Sequence, residues 1–135
     1  MQLVSLLLLV LVSYAFAESI FDFSVEDAHG NLVPLSRYQD SKVILIVNTA
    51  SYCGYTVSNY EQLQEMYSRL HPKGLEILAF PCTIYDMKEV VLNTPGNQFG
   101  EQEPGSNEDI LKFVSNRFGV EFPVFGKVKN LMCIQ

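Results

Sequence analysis

The chain has 135 residues, enough for one domain and no more, and its 48% apolar content can build a core. Charged residues make up only 18%, below the usual quarter, which argues against a disordered chain. Nine Lys and Arg against fifteen Asp and Glu leave a net charge of −6 without a basic patch, which argues against nucleic acid and anionic membrane surfaces as partners.

The first seventeen residues differ from the rest. Leu3 to Val12 is almost wholly apolar, and Ala15-Phe16-Ala17 has the small-x-small form of a cleavage site. Residues 1–17 therefore read as a signal peptide, and the apolar run is shorter than the roughly 20 residues a spanning helix needs. A mature chain from Glu18 to Gln135 is expected, secreted into an oxidising, extracellular setting. Its cysteines are Cys53, Cys82 and Cys133, an odd count that leaves at least one thiol outside any internal bridge.

Ile20 to Val25 alternates nearly enough to predict a strand. His29-Gly30-Asn31 is turn chemistry, and Leu32-Val33 starts the returning strand. Val43 to Val47 is a β-branched-rich run, which suits a strand covered on both faces in a parallel sheet. Ser58-x-x-Glu61 has capping-box form, and Tyr60, Leu63, Tyr67 and Leu70 recur behind it at helical spacing. Lys73-Gly74 ends that helix. Leu75 to Phe80 is a second buried strand, stopped by Pro81. These segments spell β-α-β, a parallel pair with a right-handed crossover. A second helix starts near Ser106, with an acidic first turn and the stripe Ile110, Phe113, Val114, Phe118. Glu121 to Phe125 is expected to be extended.

Cys53 falls between the first buried strand and the first helix. Ligand sites of open α/β sheets gather at the carboxyl ends of strands, and N–H groups at a helix start favour an anion such as a thiolate. A lone cysteine there is also consistent with a small buried hydrophobe. A cysteine hydrolase using His29 or His71 is disfavoured, because His71 lies at the far end of the helix and His29 lies in a turn. The three Cys and two His lack metal-ligand spacing.

Val47-Asn48-Thr49-Ala50-Ser51-Tyr52-Cys53-Gly54-Tyr55-Thr56 resembles the segment around the peroxidatic residue of glutathione peroxidases. Leu78-Ala79-Phe80-Pro81-Cys82 resembles that family's second motif, and residues 97–105, Asn-Gln-Phe-Gly-Glu-Gln-Glu-Pro-Gly, resemble its continuation. Glu121-Phe122-Pro123-Val124-Phe125 resembles a later landmark. The similarity spans roughly Ser19 to Lys129. It implies a thioredoxin-like α/β fold, incomplete at the C-terminus, over residues 18–135. It also implies a thiol-dependent peroxidase of hydrogen peroxide or organic and lipid hydroperoxides, serving antioxidant defence. In that chemistry Cys53 becomes a sulfenic acid that thiols reduce. The reducing co-substrate is glutathione or thioredoxin, with no prosthetic cofactor and no metal. Gln102 matches the Gln of the family's site, and Cys82 is the candidate resolving cysteine, since 116–120 carries none.

Two departures stand out. Residues 83–96 interrupt the continuous family motif as a 14-residue insertion, long for a loop. The chain has no Trp, whereas the family's site includes a Trp and an Asn well beyond the Phe-Pro-x-Phe landmark, and the tail 130–135 diverges. The rival expectation is therefore a catalytically inactive secreted fragment or splice variant, inert or acting as a binding protein through exposed apolar surface. An end at Gln135 is also expected to leave an open sheet edge and to strip partners from the stripe Tyr60, Leu63, Tyr67, Leu70.

Overall fold

A computed structural model describes residues 19–83 and 103–129. The expected signal peptide, most of the insertion, Gln102, Cys133 and the divergent tail lie outside the described residues.

The chain enters through a 3-10 turn, Ile20–Asp22, and not through a strand. Ser19 and Asp22 explain the difference. The Asp22 carboxylate accepts from the Ser19 N–H at 2.7 Å, and Ser19 Oγ accepts from the Phe21 N–H at 3.3 Å. This reciprocal cap closes a turn before extension can begin. Strand β1, Ser24–Glu26, then pairs antiparallel with β2, Leu32–Pro34, as the turn residues required. Asp27 Oδ1 accepts from the N–H groups of His29 and Asn31, which fixes that turn.

Strand β3, Val43–Thr49, leads to helix α1, Thr56–Leu70, and back to β4, Leu75–Thr83. β3 and β4 are parallel and adjacent, in register from Val43 opposite Leu75 to Thr49 opposite Pro81. The expected β-α-β unit is therefore present. Helix α2, Asn107–Phe118, follows, and a short strand β5, Val128–Lys129, adds parallel to the far side of β4. Among the described strands the order is β3-β4-β5.

Pro81 does not stop β4. Ala79 accepts from the Phe125 N–H at 2.9 Å and donates to the Pro123 carbonyl at 3.0 Å. Backbone groups alternate sides along a strand, so Pro81 faces that same neighbour and has no N–H to give. There the facing chain turns aside, and Gly126 gives its N–H to the Glu26 carbonyl instead. The proline fits because the ladder is interrupted at its position.

The sheet is packed on two faces. Ile77 and Ala79 of β4, with Leu45 and Val47 of β3, meet Tyr60 and Tyr67 of α1 and Ile110 and Val114 of α2. Leu78 and Phe80 meet Val33, Leu35 and Phe125 under the hairpin. Tyr60, Leu63 and Tyr67 of the first-helix stripe keep partners. Tyr60 stacks on Phe118 at 5.1 Å and Tyr67 meets Phe122 edge-on at 5.8 Å, so both rings are buried. β3 is covered in part on each face, with Leu45 and Val47 packed on the helix side and Ile44 on the hairpin side. Val43 is 59% and Ile46 50% exposed.

Candidate functional site

β3 ends at Thr49, and the loop 50–55 carries Cys53 to the start of α1. The helix begins at Thr56, two residues before the expected Ser58 cap. Ser58 is inside the helix, where its hydroxyl donates to the Tyr55 carbonyl at 3.1 Å. The residue that organises the junction is Thr56, which is buried. Its hydroxyl donates to the Ala50 carbonyl at 2.7 Å and accepts from the Cys53 N–H at 3.0 Å. The Thr56 N–H in turn donates to the Cys53 carbonyl at 3.0 Å. One side chain thus ties both ends of the loop to the first turn of the helix. The same turn starts without a side-chain cap, since Tyr55 supplies none.

Cys53 is a free, half-buried thiol at the carboxyl end of the parallel pair. Tyr52 and Tyr55 flank it in sequence and are exposed. Such a thiol can act as a nucleophile, because the loop fixes its backbone and the residue is not fully buried.

Cys82 lies near the end of the neighbouring strand, one residue beyond the Thr49–Pro81 pair. It is buried and disulfide-bonded, while Cys53 is free, so the two do not bridge each other here. Gln102 lies outside the described residues. Among the described residues, no group of three or more His, Cys, Asp or Glu could hold a metal ion.

Behind the loop lies a polar cluster that the pattern of residues did not reveal. Glu103, next to Gln102 in the motif, is fully buried ahead of α2. Burial pushes its carboxyl above the usual range; Ser51, which presents its hydroxyl and N–H to it, and the more distant Lys127 only partly oppose this. Tyr60, with burial as the main cause, is pushed up to about 12, and Thr49 faces its hydroxyl. The adjacency of Glu103 to Gln102 in the sequence was the one signal available, and nothing in it distinguishes a buried carboxyl from a solvated one.

This geometry is that of a known family. The profile described as Glutathione peroxidase matches residues 20–94 and 83–131, and the two matches overlap at residues 83–94. "Probable glutathione peroxidase 8" of Arabidopsis thaliana is 52% identical over 112 residues, which is 83% of this chain and 58% of that protein. "Probable phospholipid hydroperoxide glutathione peroxidase" of Mesembryanthemum crystallinum is 53% identical over 111 residues, 82% of this chain and 56% of that protein. The chain thus spans a little over half the length of these relatives.

Solved structures agree. Apo Trgpx aligns with a TM-score of 0.53 at 34% identity, covering 89% of this chain and 61% of that one. T. cruzi GPX1 aligns at 0.52 and 31%, covering 85% and 59%. A thioredoxin-like protein from Aeropyrum pernix aligns at 0.54 with 21% identity, covering 80% and 62%, and speaks to the fold alone. The fold is thioredoxin-like, and the chain covers only part of it. With its loop, its βαβ frame and its sequence all in agreement, the chain belongs to the glutathione peroxidase family.

Proposed function

We propose that this chain is a thiol-dependent peroxidase that reduces hydrogen peroxide or organic hydroperoxides, phospholipid hydroperoxides among them, with Cys53 as the reacting residue. The observation that carries this is the state of Cys53: a free, half-exposed thiol held by Thr56 at the carboxyl end of the β3–β4 pair. The names of the relatives support the substrate class, since the Mesembryanthemum protein is described as a phospholipid hydroperoxide glutathione peroxidase.

The Cys53 thiolate attacks the terminal oxygen of the hydroperoxide. The S–O bond forms as the O–O bond breaks, and the leaving alkoxide or hydroxide takes a proton to depart as alcohol or water. Cys53 is left as a sulfenic acid. One thiol condenses with it, releasing water and forming a mixed disulfide. A second thiol attacks that disulfide, freeing Cys53 and leaving the two thiols oxidised to their own disulfide. Glutathione or a thioredoxin-type dithiol supplies both. Gln102, by its place in the family motif, would donate its side-chain amide to the reacting sulfur. Cys82 could resolve the sulfenic acid only after its present disulfide is reduced. Residues 1–17 would direct the chain to secretion as a cleaved signal peptide.

A second reading, a catalytically inactive binding protein of the same family, draws support from the exposed Val43 and Ile46 on β3. One assay separates the two. Purified protein is given hydrogen peroxide or a lipid hydroperoxide with excess thiol. Consumption of the oxidant that disappears in Cys53→Ser supports the peroxidase, and equal rates for both proteins support the binding protein.

A further inference from the structure

Two carboxyls among the described residues are buried, Glu76 and Glu103, and only Glu103 lies against the Cys53 loop. Glu103 is 0% exposed. Its backbone is pinned from outside: the Lys127 ammonium donates to its carbonyl at 3.3 Å and to that of Gly105 at 2.6 Å. The Lys127 N–H donates to Asn107 Oδ1 at 3.0 Å, which ties the same segment to the start of α2. So anchored, the carboxyl meets Ser51, and a second pair of hydroxyls, Thr49 facing Tyr60, lies near enough for Tyr60 to feel its charge. Ser51 comes from the Cys53 loop, Thr49 from the end of β3 and Tyr60 from α1.

Neither Glu103 carboxyl oxygen makes a well-formed hydrogen bond, and neither does the Thr49, Ser51 or Tyr60 hydroxyl. All five atoms are buried. Unpartnered buried polar atoms are costly and uncommon, and a cluster of them calls for a reason other than stability. A leucine would fill the volume without that cost. The cluster abuts the one loop that carries the free thiol, and Ser51 stands two residues from Cys53.

We propose that Glu103 is a positioning residue for Cys53 that acts through Ser51. Thr56 holds the loop from the helix side, and the Glu103 carboxyl supports it from beneath. The effect on oxidation rate rests on the peroxidase reading, whereas the effect on loop geometry does not. Burial favours the neutral carboxyl, which has a donor and an acceptor end and can serve the Ser51 hydroxyl and N–H together. Glutamine keeps both ends and the shape; leucine keeps neither end.

The test uses the full chain with Glu103→Gln, Glu103→Leu and Ser51→Ala. Two quantities are measured: the single-turnover rate of Cys53 oxidation by tert-butyl hydroperoxide, and the pH profile of Cys53 alkylation by iodoacetamide, with the site located by mass spectrometry. Glu103→Gln should stay within about threefold of the native rate, while Glu103→Leu and Ser51→Ala should slow oxidation by roughly tenfold or more, as expected when a reacting group is misplaced. Both slowed variants should also move the alkylation profile, and the Glu103→Leu/Ser51→Ala double variant should be no slower than the worse single one. A native rate and profile in Glu103→Leu, or Glu103→Gln as slow as Glu103→Leu, overturns the proposal. If Glu103→Leu fails to fold, Ser51→Ala decides, and native behaviour there overturns it. If the native chain does not react with hydroperoxide, the peroxidase reading fails separately. The alkylation profile then still supports the positioning role if it moves and rejects it if it does not.

Discussion

Replacing Thr56 with valine keeps the side chain's shape and removes only its hydroxyl, so it isolates what that group does. The hydroxyl makes two hydrogen bonds, to the Ala50 carbonyl at 2.7 Å and from the Cys53 N–H at 3.0 Å. Each such bond contributes about 1 kcal/mol net, so their joint loss should cost about 2 kcal/mol. Leaving both partners orphaned in a dry interior would cost more. Ala50 and Cys53 are only half-buried, however, so water can reach part of what is exposed. Thr56→Ser keeps both bonds and loses one methyl group, for at most about 1 kcal/mol. Urea unfolding of the three proteins measures this directly. The loop should also loosen in Thr56→Val, so Cys53 oxidation should slow there and recover in Thr56→Ser. A Thr56→Val protein as stable as the native one, and oxidised as fast, would refute the claim that Thr56 organises the site.

Other consequences can be checked alongside. Burial raises the Glu103 carboxyl above its ordinary 4.5, so between 4.5 and its folded value the native state holds a proton that the unfolded chain has lost. Stability from this group is therefore full below the ordinary carboxylate value, falls as pH rises through the folded value and is level above it. Urea midpoints across that range should fall less steeply in Glu103→Gln, and identical slopes would reject the assignment. Gly74 ends the turn after α1 at φ +104°, where an added Cβ would lie 2.8 Å from Lys42 Cγ. Gly74→Ala should cost more than about 1 kcal/mol in the same measurement. Ser106 caps α2, accepting from the Asp109 N–H at 3.2 Å, and Ser106→Ala should cost about 1 kcal/mol. Mass spectrometry after one equivalent of peroxide should find a sulfenic acid or a thiol adduct on Cys53; a Cys53–Cys82 bridge would show that Cys82 leaves its present disulfide to resolve.

Much of the frame was legible because periodicity reports burial. The runs 43–47 and 75–80 are apolar enough to need cover, the stripe between them is helical, and together they allow little besides a parallel β-α-β unit. Cys53 could be placed for the same reason, at a strand end before a helix. Local polar chemistry was harder to read. Ser58-x-x-Glu61 matches a capping box, yet the helix starts at Thr56 because its hydroxyl bonds backward into the loop, and no spacing rule marks that. Ser19 and Asp22 form a real capping box on a segment whose alternation suggested a strand. Pro81 suggested a stop, and only the detour of the facing chain at Gly126 shows why it was not one. Glu103 was invisible as a buried group because a lone carboxyl in a polar motif carries no periodicity, and its neighbour Ser51 is far from it in sequence. Ile46 is exposed although its run is apolar, because neighbours decide cover and composition does not.

The central claim is that Cys53 reduces hydroperoxides in this chain. Its most direct test is hydroperoxide consumption by the purified protein with thiol in excess, compared with Cys53→Ser under the same conditions. Steady turnover in the native protein, with no more than the uncatalysed rate in Cys53→Ser, is the predicted result. The same slow consumption in both would contradict it.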